Sequence, residues 1–106
     1  MKKIEVIVRP EKVNSVILAL EAAGYLGITV YEVAGHGKRR DVGDEVTLRP
    51  MVKLEVAVKD SDTDKIVKLV MDTAYTGTIG DGRILISDLN EVFRIRTKER
   101  GDKAAG

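Results

Sequence analysis

Residues 2–24, KKIEVIVRPEKVNSVILALEAAG, change their hydrophobic period in the middle. Before Pro10, apolar residues alternate with others, which is typical of a strand with one buried face. After Pro10, they recur with the spacing of one helix face until Gly24, an expected helix terminator. The strand positions that face inward are Ile4, Val6 and Val8, and the helix positions are Val13, Val16, Ile17 and Leu20. The stretch therefore predicts a strand followed directly by a helix.

The rest of the chain continues this alternation. Residues 28–35 are rich in β-branched residues and residues 52–58 alternate, so both predict strands. A second helix is predicted to begin near Asp60 or Ser61, as N-caps, and to end before Gly77. Strands are also predicted at residues 84–86 and 92–97. The order β-α-β-loop-β-α-β, with a fifth short strand, predicts an α+β ferredoxin-like sandwich with both helices on one face of an antiparallel sheet.

The segment GHGKRRDVGDEVTLRP, residues 35–50, interrupts the pattern. It is rich in glycine and charge and has no period, so we predict a long mobile loop at about residues 37–50. Folded back as a hairpin, such a loop projects on the order of 20 Å, which is enough to enter a partner protein. We assign residues 1–97 to one domain and expect residues 98–106, which are charged and then small, to form a flexible tail.

Composition excludes several classes of protein. A chain of 106 residues is the size of one domain, and its net charge of +1 disfavours generic nucleic-acid binding. It has no cysteine and one histidine, His36, which excludes a disulfide scaffold, a thiolate zinc site and cysteine catalysis. No apolar run approaches the length of a membrane span, and no leader pattern is present, so a cytoplasmic location is expected.

A sheet with helices on one face leaves its other face open. Ile7, Tyr31, Ala57 and Val92 are predicted on that open face. These residues fit a face that is partly buried between identical subunits, although a monomer with a tolerably polar open face is the alternative.

The strongest chemical signal lies in the last third of the chain. Residues 76–83, TGTIGDGR, combine three glycines with Arg83, so backbone amides and a guanidinium can surround an anion. Arg94 and Arg96 are two residues apart on a predicted strand, so their side chains lie on the same face. Their positive charges repel each other and destabilise the strand unless a carboxylate or an anion neutralises them. Together they suggest a phosphate site. The alternative is a tight turn followed by a solvated basic strand face.

Three separated motifs resemble the PII nitrogen-regulatory signal-transduction proteins over nearly the whole chain. They are MKKIE and VRPEK in residues 1–12, GITVYEVAGHG at residues 27–37, and TGTIGDGRI at residues 76–84 followed by RIRT at residues 94–97. The resemblance implies a homotrimer whose clefts between subunits bind ATP or ADP, with Mg²⁺ possible alongside ATP. It also implies regulation of a partner protein in nitrogen metabolism or transport through loop 37–50, a membrane transporter among the possible partners.

The resemblance further implies a residue for each part of the nucleotide. The adenine pocket would use Ile7, Thr29, Gly35 and Ala57. Gly37 and Lys38 would lie beside the phosphates, residues Gly80, Asp81 and Gly82 would present amides, and Arg83 would replace the family's usual lysine. Arg94 and Arg96 would reach the terminal phosphates across a subunit boundary.

The loop departs from the family pattern. It is shorter and has no tyrosine, so tyrosine uridylylation is not expected. Arg39 and Met51 stand where the family has a magnesium-binding glutamine and a carboxylate-binding lysine. Because an arginine cannot ligate magnesium, intact 2-oxoglutarate binding is not expected here. The alternative is that Lys53 or Arg40 substitutes as the partner of the carboxylate.

These observations leave functions of different classes open. The favoured function is a trimeric adenine-nucleotide sensor without enzymatic activity. The alternatives are a slow ATPase or acyl-phosphate hydrolase on the same fold, with Asp81 as the one arguable base, and a ferredoxin-like module for an amino acid or a metal.

Overall fold

The computed structural model describes residues 1–37 and 46–106. Its strands and helices follow the chain as β1 (Lys2–Val8), α1 (Val13–Ala22), β2 (Thr29–Gly35), β3 (Arg49–Val58), α2 (Thr63–Ala74) and β4 (Arg83–Asp88). The strands form one antiparallel sheet in the order β2-β3-β1-β4, and the two helices contact each other on one side of it. This is the ferredoxin-like α+β architecture that the sequence predicted.

The core lies between the helices and one face of the sheet. Every second residue is buried from Ile4 to Val8 in β1 and from Val52 to Val58 in β3, because alternate side chains of a strand point to opposite faces. The helices contribute positions three to four residues apart, which lie on one helix face. The most completely buried side chains are Ile4, Val6, Val16, Leu20, Leu54, Val58, Ile66 and Val70.

Each helix is preceded by a short 3-10 turn, at Pro10–Lys12 and at Asp60–Asp62. Helix α1 therefore begins three residues later than the sequence pattern indicated, and α2 begins two to three residues after its predicted caps. The predicted caps of α2 are also wrong, since the N-cap position is Asp62 and its side chain makes no capping hydrogen bond. Helix α1 ends as predicted near Gly24, which has a φ of +93°.

The structure corrects the prediction of a fifth strand at residues 92–97. Within the described part of the chain, this segment adds no strand to the sheet and has one bridge, between Phe93 and Arg100. The amide of Lys98 donates to the carbonyl of Arg94 over 2.8 Å, and the amide of Arg94 donates to the carbonyl of Glu99 over 2.9 Å. The segment folds back on itself, and this pairs backbone amides and carbonyls of residues 92–101 with one another. Its alternating pattern is therefore that of one arm of a hairpin.

The tail is more ordered than predicted. Gly101–Ala104 form a 3-10 helix, and Ala104 is buried. The carbonyl of Gly106 accepts a hydrogen bond from the amide of Gly27 over 3.2 Å. These contacts attach the tail to the turn between α1 and β2, which explains why small residues are found there.

The predicted loop at residues 37–50 overlaps β3, which begins at Arg49. Arg49 and Pro50 pair with β2 alone, because the neighbouring strand β1 reaches only to the Val8–Val52 pair. A proline is tolerated there, since no third strand needs its missing amide. Residues 38–45 lie outside the described residues, and so do the predicted features that fall on them.

Candidate functional site

A groove of about 830 Å³ lies on the open side of the sheet. It is formed where β1 and β2 end, where β3 begins, and where the glycine turn of residues 76–82 comes back toward β1. Apolar groups of Ile7, Val33 and Met51 line part of it. Strand order explains this meeting, because β3 and β1 are central and the chain enters β4 beside the end of β1.

The groove has a cationic border. Among the described residues that line it, four side chains are basic, one is a carboxylate, and His36 lies beside them. The basic ones are Arg9, Arg49, Lys53 and Arg83, and the acid is Glu11. Lys53 is partly neutralised by Glu5, 3.1 Å away, and Arg9 by Asp81, 3.4 Å away. The excess of positive charge next to an apolar strip suits a ligand that has both a flat apolar part and several anionic oxygens.

Glycine is required where the turn contacts β1. Gly82 has a φ of +101°, and a Cβ placed there would lie 1.7 Å from the carbonyl oxygen of Ile7. Gly80 has a φ of +100°, and its Cβ would lie 3.2 Å from the guanidinium of Arg9. Both positions bring bare backbone to the groove, which is how main-chain amides can come close to an anion.

Asp81 holds the turn together from inside. One carboxylate oxygen accepts hydrogen bonds from the backbone amides of Thr76 and Gly77, at 2.8 and 2.9 Å. The other accepts the hydroxyl of Thr76 and, over 3.4 Å, the Nε–H of Arg9. The Thr76 hydroxyl and amide hold the pKa of Asp81 far below its usual range, with further lowering from Gly77 and Arg9. A carboxylate that remains ionised and fully engaged is a poor general base.

Arg9 supports the same turn from β1. Its Nη2 donates to the hydroxyl of Thr78 and to the carbonyl of Ile79, both over 2.8 Å. Sequence analysis missed this role, because Arg9 and Thr78 are 69 positions apart and no local pattern connects them. The only signal available was an arginine at the end of a strand next to a proline.

The structure brings together half of the predicted binding residues. Those that line the groove are Ile7, Gly35, Gly37, Gly80, Gly82 and Arg83. The carboxylate of Asp81 is directed into the turn, and Asp81 does not line the groove. Lys38 is outside the described residues.

The other predicted residues do not line the groove. Thr29 and Ala57 lie on the open sheet face toward the opposite ends of their strands, where they are register partners of Glu55 and Lys3. Arg94 and Arg96 lie in the C-terminal hairpin. Residues that sequence analysis did not place at the groove include Arg9, Val33, His36 and Arg49.

The open sheet face beside the groove carries an ion-pair network. Lys3 lies 3.5 Å from Glu5 and 3.8 Å from Glu55, and so contacts both carboxylates. The hydroxyl of Tyr31 donates to Glu55 over 2.9 Å, and Lys53 lies over the Tyr31 ring at 4.9 Å. This network pairs opposite charges on a sheet face that no helix of the described residues covers.

The described residues provide neither a metal cluster nor a membrane-spanning helix. Among residues 1–37 and 46–106, no group of three or more His, Cys, Asp or Glu side chains is placed to hold a metal ion. Over the same residues, no helix has the length and apolar character needed to cross a bilayer.

Comparison with known proteins gives a consistent result. The family model described as Nitrogen regulatory protein P-II matches residues 1–99. Nitrogen regulatory protein P-II 2 of Methanothermobacter thermautotrophicus is 46% identical, over 98% of this chain and 96% of that protein. Nitrogen regulatory protein GlnK of Escherichia coli K12 is 40% identical over 99% of both chains. The crystal structure of Arabidopsis thaliana PII bound to citrate superimposes with a TM-score of 0.81 at 36% identity, over 98% of this chain and 88% of that one.

Proposed function

The chain belongs to the nitrogen regulatory protein P-II family, and on that premise we propose that it binds ATP or ADP in the groove beside the glycine turn. Proteins of this family are signal-transduction regulators of nitrogen metabolism and not enzymes. The proposal therefore concerns the ligand that this member binds, how it assembles, and how it passes on the signal. Because adenine nucleotides are held inside the cell, we propose a cytoplasmic location.

The observation that carries the proposal is the meeting of the glycine turn with Arg83 and Arg9 at one end of an apolar groove. Bare backbone at Gly80 and Gly82 supplies amides, and the guanidinium groups supply charge-assisted donors for phosphate oxygens. The apolar strip at Ile7 offers a surface for the base. ATP and ADP differ in the number of phosphate oxygens that these groups can engage, so the protein can respond to their ratio.

We propose that three copies of the chain complete the site. Residues 1–37 and 46–106 place no helix over the open sheet face and no strand beside the outer edge of β4. A second, apolar groove of about 330 Å³ runs between α2 and β4. In the C-terminal hairpin, Ile95 is 94% exposed. Since Arg94 and Arg96 do not line their own chain's groove, they are assigned to the groove of a neighbouring subunit.

Loop 37–50 is the proposed contact with the regulated partner. It joins β2 to β3 directly at the groove, where Gly37 and Arg49 line the wall. A nucleotide that engages this wall changes the relative free energy of loop conformations, and only such differential contacts shift an equilibrium. The partner is a protein of nitrogen metabolism or transport, which includes a membrane transporter.

The described residues do not fit a dedicated magnesium site, since Glu11 is the one carboxylate that lines the groove. Mg²⁺ would therefore come with ATP and be held chiefly by its phosphates. Met51 contributes an apolar wall next to Gly35, where a carboxylate effector would need a cation. Nucleotide is accordingly the principal ligand, and 2-oxoglutarate is not.

The alternative of a slow ATPase or acyl-phosphate hydrolase has little support. Its arguable base, Asp81, has both carboxylate oxygens engaged in hydrogen bonds and does not line the groove. No second side chain in the described groove combines a general base with an orienting partner.

The test combines assembly, binding and turnover. Sedimentation velocity is expected to give three times the chain mass of 11.6 kDa, and calorimetry is expected to show ATP and ADP binding at one site per chain. Phosphate release should be negligible over the same hours. A stable monomer, or a trimer that binds neither nucleotide, would overturn the proposal, and rapid multiple turnover would favour the hydrolase.

A further inference from the structure

The Arg9–Asp81 pair joins the residue that follows β1 to the glycine turn, and each partner makes further hydrogen bonds to that turn. Asp81 contacts the start of the glycine turn, at Thr76 and Gly77, and Arg9 contacts its middle, at Thr78 and Ile79. Arg9 itself is fixed at the end of β1. The pair thus joins both halves of the turn to the central strand of the sheet.

We infer that Asp81 is a positioning residue that fixes the glycine turn against β1 through Arg9, and that it does not itself contact the nucleotide. The inference rests on the proposed function for its ligand and on the observed contacts for its geometry. It replaces the expectation that Asp81 belongs with Gly80 and Gly82 as a binding residue.

The carboxylate is needed because all of its acceptor capacity is used. Oδ2 accepts two amides, and Oδ1 accepts a hydroxyl and a guanidinium N–H. An asparagine offers one oxygen and one NH₂ group. With its NH₂ in the Oδ1 position the Arg9 contact is lost, although the Thr76 hydroxyl can reverse and accept, and with its NH₂ in the Oδ2 position both backbone amides lose their acceptor. The substitution therefore loosens the turn with almost no change in size.

The sign of the effect on binding separates positioning from simple electrostatics. Asp81 is a negative charge close to a groove that would hold phosphates, so Coulomb's law alone predicts that its neutralisation strengthens anion binding. If Asp81 positions the turn, neutralisation weakens binding, because the amides of the turn and Arg83 lose their orientation. If it contacted Mg²⁺ directly, the weakening would depend on the metal.

The experiment compares wild type, Asp81→Asn and Asp72→Asn. Asp72 lies on the exposed face of α2, where it pairs with Lys68, so this control makes the same change in net charge away from the groove. ATP affinity is measured by calorimetry with and without Mg²⁺, and amide hydrogen exchange of Thr76 and Gly77 is followed by NMR in nucleotide-free protein.

We expect Asp81→Asn to bind ATP roughly tenfold more weakly in both conditions, a loss typical of a charge-assisted hydrogen bond, and to exchange the two amides faster. Asp72→Asn should match wild type in every measurement. Equal or tighter ATP binding by Asp81→Asn, or weakening confined to Mg²⁺, would overturn the inference.

The positioning role remains testable if wild type binds no nucleotide and also if Asp81→Asn does not fold. If wild type binds no nucleotide, the proposed function fails, yet unchanged amide exchange in Asp81→Asn would still overturn the positioning role and faster exchange would support it. Should Asp81→Asn not fold, Thr76→Val removes one donor to Asp81 and Thr76→Ser retains it. Weaker ATP binding by the valine variant alone supports the inference, whereas equal binding by both overturns it.

Discussion

Glu5 on β1 and Glu55 on β3 are direct register partners on the open face of the sheet. Two like charges at such a position repel each other. Lys3 contacts both carboxylates, Lys53 contacts Glu5, and Tyr31 donates to Glu55. The network is therefore a set of compensating contacts around one unfavourable pair, and its members depend on one another.

Replacing Lys53 by methionine should destabilise the protein at neutral pH and much less in acid. The hydrogen bond from Lys53 is the largest cause that lowers the pKa of Glu5, so this contribution to stability is present above the ordinary pKa of 4.5 and is lost as the pH falls. Urea unfolding at pH 7 and pH 3, at one protein concentration, measures the difference. Lys68→Met, which breaks an exposed pair on α2, is the control. Equal losses at both pH values would contradict the prediction.

Tyr25 should make stability fall in strongly alkaline solution. Burial, followed by its hydrogen bond to Asp62, raises the pKa of Tyr25 from 10.0 to about 12. Its contribution is fully present below pH 10.0 and is lost as the pH rises toward 12, because the unfolded chain releases the proton first. Denaturant unfolding across this range is expected to show the loss in wild type and a smaller one in Tyr25→Phe. Parallel curves would show that another group is responsible.

Gly82→Ala should lower the free energy of unfolding by about 2 kcal/mol or more. A side chain at positive φ costs ~1–2 kcal/mol, and here the Cβ would also overlap the carbonyl of Ile7. Gly37→Ala is the matched control, since Gly37 has open space around it and no positive φ. Chemical denaturation of both variants checks the prediction, which fails if their stabilities agree.

Arg94→Ala or Arg96→Ala should weaken ATP binding roughly tenfold or more, since each guanidinium is assigned charge-assisted bonds to phosphate in a neighbouring subunit. Lys68→Ala removes one positive charge from the outer face of α2 and should leave the affinity unchanged. Calorimetry measures all three, with sedimentation to verify assembly. Wild-type affinity in both arginine variants would remove these residues from the site.

A saturating concentration of 2-oxoglutarate should not raise the affinity for ATP in the presence of magnesium. By the family resemblance, Met51 stands in place of a carboxylate-binding lysine and Arg39 in place of a magnesium-binding glutamine, and an arginine cannot ligate the metal. Two ligands that share a metal must help each other equally, so one pair of ATP titrations decides the matter. A severalfold gain would mean that Lys53 or Arg49 supplies the missing cation.

The order of strands and helices was predictable from the sequence because hydrophobic periodicity is a local property. The alternation around Ile4 and the helical spacing around Val16 are each visible within about ten residues. The motifs at residues 27–37 and 76–84 were likewise sufficient to suggest the family. The same patterns also predicted which strand residues lie on the buried face of the sheet.

Only the tertiary structure decided which distant residues meet. Arg9 and Asp81 are 72 positions apart, and their contact depends on the antiparallel pairing of β1 with β4, which no local pattern encodes. The segment at residues 92–97 alternates like a strand, but period alone does not choose a pairing partner, and the chain pairs it with residues 98–101. Sequence determined the elements because each depends on its neighbours along the chain, whereas the site depends on hydrogen bonds between elements that pairing brings together.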